Sequence, residues 1–201
     1  GRYAYSNQPP ITKWNLARFA ECLIPLIDKN EDTSVKIATN LIDNFQKIYE
    51  EKWLNMMRDK LGLFGEDKND KKLINNLLNW MEKNKVDYTN TFCHLMEINI
   101  EDSAFKNDNF TMWLNEWKKR SELNNSNKEK QIKLMKKTNP IVIPRNHKVE
   151  EALADADKGN LEKMNKITTI LKNPYDDQKD IKEYQIPTQI NDEKYQTFCG
   201  T

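Results

Sequence analysis

Leu16-Ala17-Arg18-Phe19-Ala20-Glu21-Cys22-Leu23-Ile24-Pro25-Leu26-Ile27 carries its apolar side chains at a helical interval. Leu16, Phe19, Ala20, Leu23, Ile24 and Ile27 fall at i, i+3, i+4, i+7, i+8 and i+11, which is one face of a 3.6-residue repeat. Pro25 removes a backbone donor late in the run and is expected to kink or end the helix. Cys22, inside the apolar run, reads as a small core residue.

The same spacing continues outward. Thr33 or Ser34 is placed to cap a second helix, whose stripe of Ile37, Leu41, Phe45, Ile48, Trp53, Met56 and Met57 runs to Leu61, with Gly62 as its stop. After a polar turn, Leu73, Ile74, Leu77, Leu78 and Met81 define a third helix. Asp87 caps a short one bearing Tyr88, Phe92, Leu95 and Met96. Phe110, Trp113, Leu114 and Trp117 mark another. Residues 118–137 are lysine-rich, with Leu123, Ile132, Leu134 and Met135 as anchors. The two prolines of 138–147 then force an extended or looped segment. Asn146 or His147 opens a helix through Val149, Leu153 and Ala156. Gly159 ends it, and Asn160 caps a last helix with Leu161, Met164, Ile167 and Leu171 inward. Asn173-Pro174-Tyr175 stops the periodicity. In the remaining tail Tyr184, Ile186, Ile190, Tyr195 and Phe198 read as single anchors. No hairpin signal competes, so the fold class expected is all-α with an extended C-terminal tail.

Composition narrows the functional classes. The chain has 201 residues, 32 basic and 31 acidic side chains, and a formal net charge of +1. A nucleic-acid or anionic-membrane binder normally carries a clear basic excess, so neither is expected. Five glycines and seven prolines are too few for a propeller, a sandwich or a Gly-rich nucleotide fold. No stretch approaches 18 uninterrupted apolar residues, so no membrane span is expected. The opening Gly1-Arg2-Tyr3-Ala4-Tyr5-Ser6-Asn7-Gln8-Pro9-Pro10 has the density of a packed loop and reads as the interior of a motif.

Catalytic signatures are sparse. Cys22, Cys93 and Cys199 show no metal-finger or thioredoxin-like spacing, and with His94 and His147 they do not compose a zinc site. No nucleophile elbow or phosphate-cradling loop is present. The acidic pairs Glu50-Glu51, Asp155/Asp157 and Asp176-Asp177 read as solvated faces. The lysines between Lys118 and Lys137 read as a solvated helix pair, because Glu122 and Glu129 interrupt them and few aromatics are there to stack bases. The five tryptophans lie on or beside apolar stripes and read mostly as core. Two features stand out. Arg145, Asn146 and His147 form a polar loop, in which Arg145 either serves function or clamps the free carbonyls of helix ends. Cys199, third from the end, is an accessible thiol able to react.

Taken in order, several segments resemble the selenoprotein O family (SelO, or YdiU in bacteria). They are Gly1-Arg2-Tyr3-Ala4-Tyr5-Ser6-Asn7-Gln8-Pro9, Trp14-Asn15-Leu16-Ala17-Arg18, Lys60-Leu61-Gly62-Leu63, Asp87-Tyr88-Thr89-Asn90-Thr91-Phe92 and Trp113-Leu114 with Trp117. The series continues with Asn139-Pro140, Ile143-Pro144-Arg145-Asn146-His147, Val149-Glu150-Glu151-Ala152-Leu153, Asn173-Pro174-Tyr175 and Phe198-Cys199-Gly200-Thr201. The resemblance covers essentially the whole chain, more weakly at 101–109, 121–131 and 176–196.

That resemblance implies a protein-kinase-like pseudokinase that transfers AMP from ATP to Ser, Thr or Tyr hydroxyls of proteins, using Mg or Mn. The family's nucleotide-gripping and metal-binding residues precede the Gly-Arg-Tyr motif, so the chain is expected to be a C-terminal portion, inactive alone. Residues 1–13 would end the activation-segment-like loop, bringing in Arg2, Tyr3, Asn7 and Gln8. Residues 14–172 would form the helical C-lobe with family-specific helices, and 173–201 the tail. Implied partners are the missing N-terminal kinase-like part and the protein substrates. The implied location is cytoplasmic in a bacterium and mitochondrial in a eukaryote. Cys199 would be a redox cysteine pairing with one upstream of Gly1. The ending Cys-Gly-Thr departs from the usual Cys-Ser-Ser. Cys93 stands where an arginine is usual, a change expected to alter only a surface contact. A helical module binding a protein or RNA is the alternative from another class.

Overall fold

A computed structural model describes residues 7–98, 100, 102–123 and 127–187, and all the regular structure among them is helical. In chain order the α-helices are α1 (Gln8–Ile27), α2 (Glu31–Lys60), α3 (Asp70–Asn84), α4 (Tyr88–Leu95), α5 (Asp108–Glu122), α6 (Lys128–Thr138), α7 (Asn146–Ala156), α8 (Glu162–Leu171) and α9 (Lys182–Gln185). A short 3-10 helix, Ser103–Lys106, precedes α5. The chain divides into two compact units, Gly1–Met56 and Met57–Thr201, with α2 running through the boundary.

In the first unit, α1 begins at Gln8, ahead of the Trp14 stretch. Pro9 falls at a first-turn position whose N–H has no intrahelical partner, so nothing is lost there. Pro25 does not break the helix, which continues two residues further to Ile27. The cap of α2 is Asn30, whose side-chain oxygen accepts from the Thr33 N–H at 3.0 Å. Ser34 instead lies buried and donates to the Asp28 carbonyl. Helix α1 has no buried residue, and Cys22 is exposed, which corrects its reading as core. An apolar stripe specifies a helix; it does not specify that another element covers it.

The second unit holds nearly all of the core. Trp80 and Phe110 pack with ring centroids 4.5 Å apart, and Phe105 lies 5.3 Å from Phe110. Trp113 and Trp117 are buried, and each spends its indole N–H at 2.9 Å, on the carbonyls of Leu73 and Leu61 respectively. Buried tryptophans of this kind add both apolar area and a defined polar handle. Gly62 (φ +65°) ends the α2 stretch where α6 presses close, and a Cβ there would sit 2.5 Å from Gln131 Cγ and 2.9 Å from Met135 Cγ. Helices α7 and α8 pair, with Ala152 and Ile170 buried. Leu161, expected inward, is 51% exposed. Beyond α8 the chain turns back. Ile141 N donates to Pro174 O at 2.8 Å, and Ile181 and Tyr184 are buried while Ile186 is exposed.

Candidate functional site

Arg145 lies at the end of the two-proline loop, immediately before α7, and its side chain turns inward. Its Nη1 donates to Asp87 Oδ2 at 2.5 Å and its Nη2 to Asp87 Oδ1 at 2.9 Å, a bidentate pair. Asp87 is also the N-cap of α4, where its Oδ1 accepts the Asn90 N–H at 2.8 Å. Nη2 reaches Asn90 Oδ1 and the Gln185 carbonyl, both at 3.2 Å, and Asn90 Nδ2 donates to that same carbonyl at 3.0 Å. Gln185 Nε2 then donates to Ile141 O at 2.9 Å. One guanidinium thus ties together the start of α4, the end of α9 and the loop before α7. Arg145 Nε is buried with no hydrogen-bond partner among the described residues.

A second cluster is built on Asp70, the first residue of α3, with no exposed surface. Its Oδ2 accepts from Arg58 Nε at 2.7 Å and from the Asp67 N–H at 2.9 Å. Its Oδ1 accepts from Arg120 Nε at 2.6 Å. Arg120 goes on to the carbonyls of Phe64 and Gly65 at 3.2 to 3.4 Å, closing the turn between α2 and α3. Burial works to raise the Asp70 pKa. Hydrogen bonds from Arg120, Asp67 and Arg58, with the Arg120 charge, outweigh it and leave the carboxyl below its ordinary value.

The third cluster surrounds Cys93, on α4. It is fully buried, and its thiol faces the Pro140 carbonyl at 3.9 Å, so its expected role in a surface contact is corrected. Burial pushes the thiol up to about 11, the Asp87 charge adds to the rise, and Arg145 and Lys60 oppose it. Lys60 Nζ stands 4.4 Å from the Phe92 ring centroid and 5.3 Å from that of Tyr88. Burial brings its amine down to about 8, against a small opposing pull toward the Cys93 thiolate. His94 stacks on Phe105 at 3.9 Å, and desolvation lowers its pKa against the charge of Asp102. Each of these groups is held in packed surroundings that shift its proton affinity away from the ordinary value. No acid–base relay joins them in the described hydrogen bonds.

A sequence model of the family described as "Protein adenylyltransferase SelO" matches residues 1–172. The chain belongs to the SelO family. A relative named "Protein nucleotidyltransferase YdiU" from Pelagibacter ubique is 57% identical over the whole of this chain, which spans 42% of that relative. Relatives of the same name from Clostridium perfringens and Nitrosococcus oceani are 46% and 42% identical, each with all of this chain covering 41% of the relative. The chain therefore spans well under half the length of the curated SelO relatives it matches.

Within the SelO chain, the described residues singled out from sequence fall on different elements. Arg145 is buried in the second unit, while its neighbour Asn146 is exposed as the first residue of α7 and His147 is half-buried. Asn7 is half-buried and Gln8 exposed at the start of α1, in the first unit. Arg2, Tyr3 and Cys199, with the tail anchors Ile190, Tyr195 and Phe198, lie outside the described residues. Sequence reading passed over Asp70, Arg58 and Arg120, whose only local signal is an aspartate at a helix start.

The implied Mg or Mn would need a convergent set of oxygen donors. Among the described residues no three of His, Cys, Asp and Glu come together closely enough to hold a metal ion. The buried carboxylate of Asp70 is already saturated by two arginines. No helix of the described residues is long and apolar enough to cross a membrane.

Proposed function

We propose that this SelO-family chain is the helical C-terminal portion of a protein adenylyltransferase, an enzyme that moves AMP from ATP to Ser, Thr or Tyr hydroxyls of proteins. The observation that carries this reading is the match of the whole chain, at 57% identity, to a nucleotidyltransferase more than twice its length. In this reading the groups that hold ATP and Mg or Mn belong to the remainder of the protein, a kinase-like part preceding Gly1. The chain supplies a scaffold: the Asp70 and Arg145 clusters lock helices together through buried ion pairs. Phosphoryl and nucleotidyl transfer rest on positioned metal and charge, so a rigid floor beneath such a site is the contribution helices can make.

Cys199 adds a redox element to the proposal. Oxidation of its thiol together with a cysteine of the preceding segment would form a disulfide, the two electrons and two protons passing to a thiol oxidant. AMP transfer by the full-length protein should then respond to reductant, and Cys199→Ser should abolish that response.

The reading is tested at the level of the gene. The coding sequence ahead of Gly1 should specify a kinase-like lobe with a nucleotide-contacting lysine and an asparagine–aspartate metal pair. An upstream sequence of another kind would overturn it.

A further inference from the structure

The first unit exposes what a folded unit normally covers. Ten of the seventeen large apolar side chains that stand exposed among the described residues lie in positions 7–56. Only Ser34 and Ala38 are buried in that same stretch. Five of the ten, Leu16, Phe19, Leu41, Ile48 and Tyr49, share one groove with half-buried neighbours. Leu16, Phe19 and Leu23 of α1 look across at Leu41, Phe45 and Ile48 of α2, lining an open groove of about 510 Å3. Phe19 is 61% and Leu41 66% exposed. Lys52 is the one charged side chain on the groove's lining. Monomeric proteins rarely leave so continuous an apolar surface in water.

We infer that this groove is the docking surface for the part of the same polypeptide that the 201 residues do not include. The inference rests on the proposed reading of the chain as one portion of a longer SelO-family protein. Two observations choose this occupant. First, a protein the length of the Pelagibacter relative has more than half of its residues outside the span matched here. Being tethered, those residues act at an effective concentration of roughly millimolar. Second, the groove has the character of a permanent interface. Surfaces that meet transient partners are about as polar as the rest of the exterior, whereas permanent ones resemble a core cut in two. The charge-poor lining with protruding Phe19 and Leu41 is of the second kind.

The test uses Leu41→Cys, a substitution at an exposed position, made in the 201-residue chain and in the full-length protein. Maleimide labelling is followed by peptide mass spectrometry, which resolves position 41 from the native cysteines. Leu153→Cys, at an exposed position of α7, serves as a reference, and slow labelling of Cys93 with helical circular dichroism shows that both proteins are folded. Position 41 should label about 20-fold or more slowly in the full-length protein than in the short chain, at all protein concentrations, with position 153 equal in both. Three results would overturn the inference: equal rates at position 41, slow labelling already in the short chain, or protection that grows with protein concentration and so assigns the groove to a second copy. AMP transfer, measured on the same full-length sample, separates the two claims. Active protein with a freely labelled position 41 refutes the docking alone, and protected but inactive protein refutes the adenylyltransferase reading alone.

Discussion

Arg145 and Asp87, 58 positions apart, meet as a bidentate ion pair whose two hydrogen bonds measure 2.5 and 2.9 Å. The pair joins the N-cap of α4 to the loop that launches α7, and through the Gln185 carbonyl it also gathers in α9. Asp87→Asn leaves a buried guanidinium without its anion and should cost about 2–4 kcal/mol in urea unfolding. Arg145→Lys keeps the charge but loses the planar fork, and should cost about 1–3 kcal/mol. Combined, the two substitutions should fall short of additivity by about 1 kcal/mol or more. Strict additivity would show that the two residues do not act as a unit.

Asp70 should be the costlier loss. Asp70→Asn strands Arg58 and Arg120 in the interior and should destabilise the protein by about 3–5 kcal/mol at neutral pH. Its folded pKa lies below that of the unfolded chain. The contribution is therefore present in full above roughly pH 4, the unfolded value, and is lost as pH falls through the folded one. The wild-type acid limb of stability against pH should accordingly be steeper than that of Asp70→Asn. Parallel acid limbs would contradict the buried carboxylate.

Lys60 and Cys93 make an alkaline prediction with opposing signs. The Lys60 pKa drops from 10.5 to about 8 on folding, so above pH 8 the unfolded chain holds more protons and stability rises. Cys93 moves from 9.0 to about 11, so above pH 9 the folded chain holds more protons and stability falls. Stability should climb between about pH 8 and 9 and flatten beyond, and Lys60→Met should remove the climb. Chemical denaturation across that range measures it. In the same range Cys22, exposed on α1, should alkylate quickly while Cys93 stays slow. Comparable rates would refute the burial of Cys93.

Local chemistry in the chain was legible from its sequence. Asp87 as a cap, Gly62 as a stop and the tryptophan spacing of α5 each follow from neighbours within a few residues. Partnership over distance was not. Asp70 draws no notice in the sequence, because nothing near it announces Arg58, 12 positions back, or Arg120, 50 positions ahead. Arg145 was visible as an unusual residue, yet Asp87 as its partner was not. Cys22 lies inside the apolar run of α1 yet is exposed, whereas Cys93, expected at a surface contact because an arginine is usual there in the family it resembles, is buried. Periodicity says which residues share a helix face, and only packing says which face is covered. The α1 stripe has little over it among the described residues, whereas α4, a short and less regular helix, is buried among Lys60, Pro140 and Arg145.

The central claim is that this chain supplies scaffold and docking surface while the chemistry of AMP transfer resides in the rest of the protein. The direct measurement is transfer of AMP from α-phosphate-labelled ATP, with Mg or Mn, to protein acceptors by the 201-residue chain and by the full-length protein at equal concentration. The account predicts labelling by the full-length protein and none above background by the short chain. Labelling by the short chain, or ATP–Mg binding to it at roughly micromolar affinity, would contradict it.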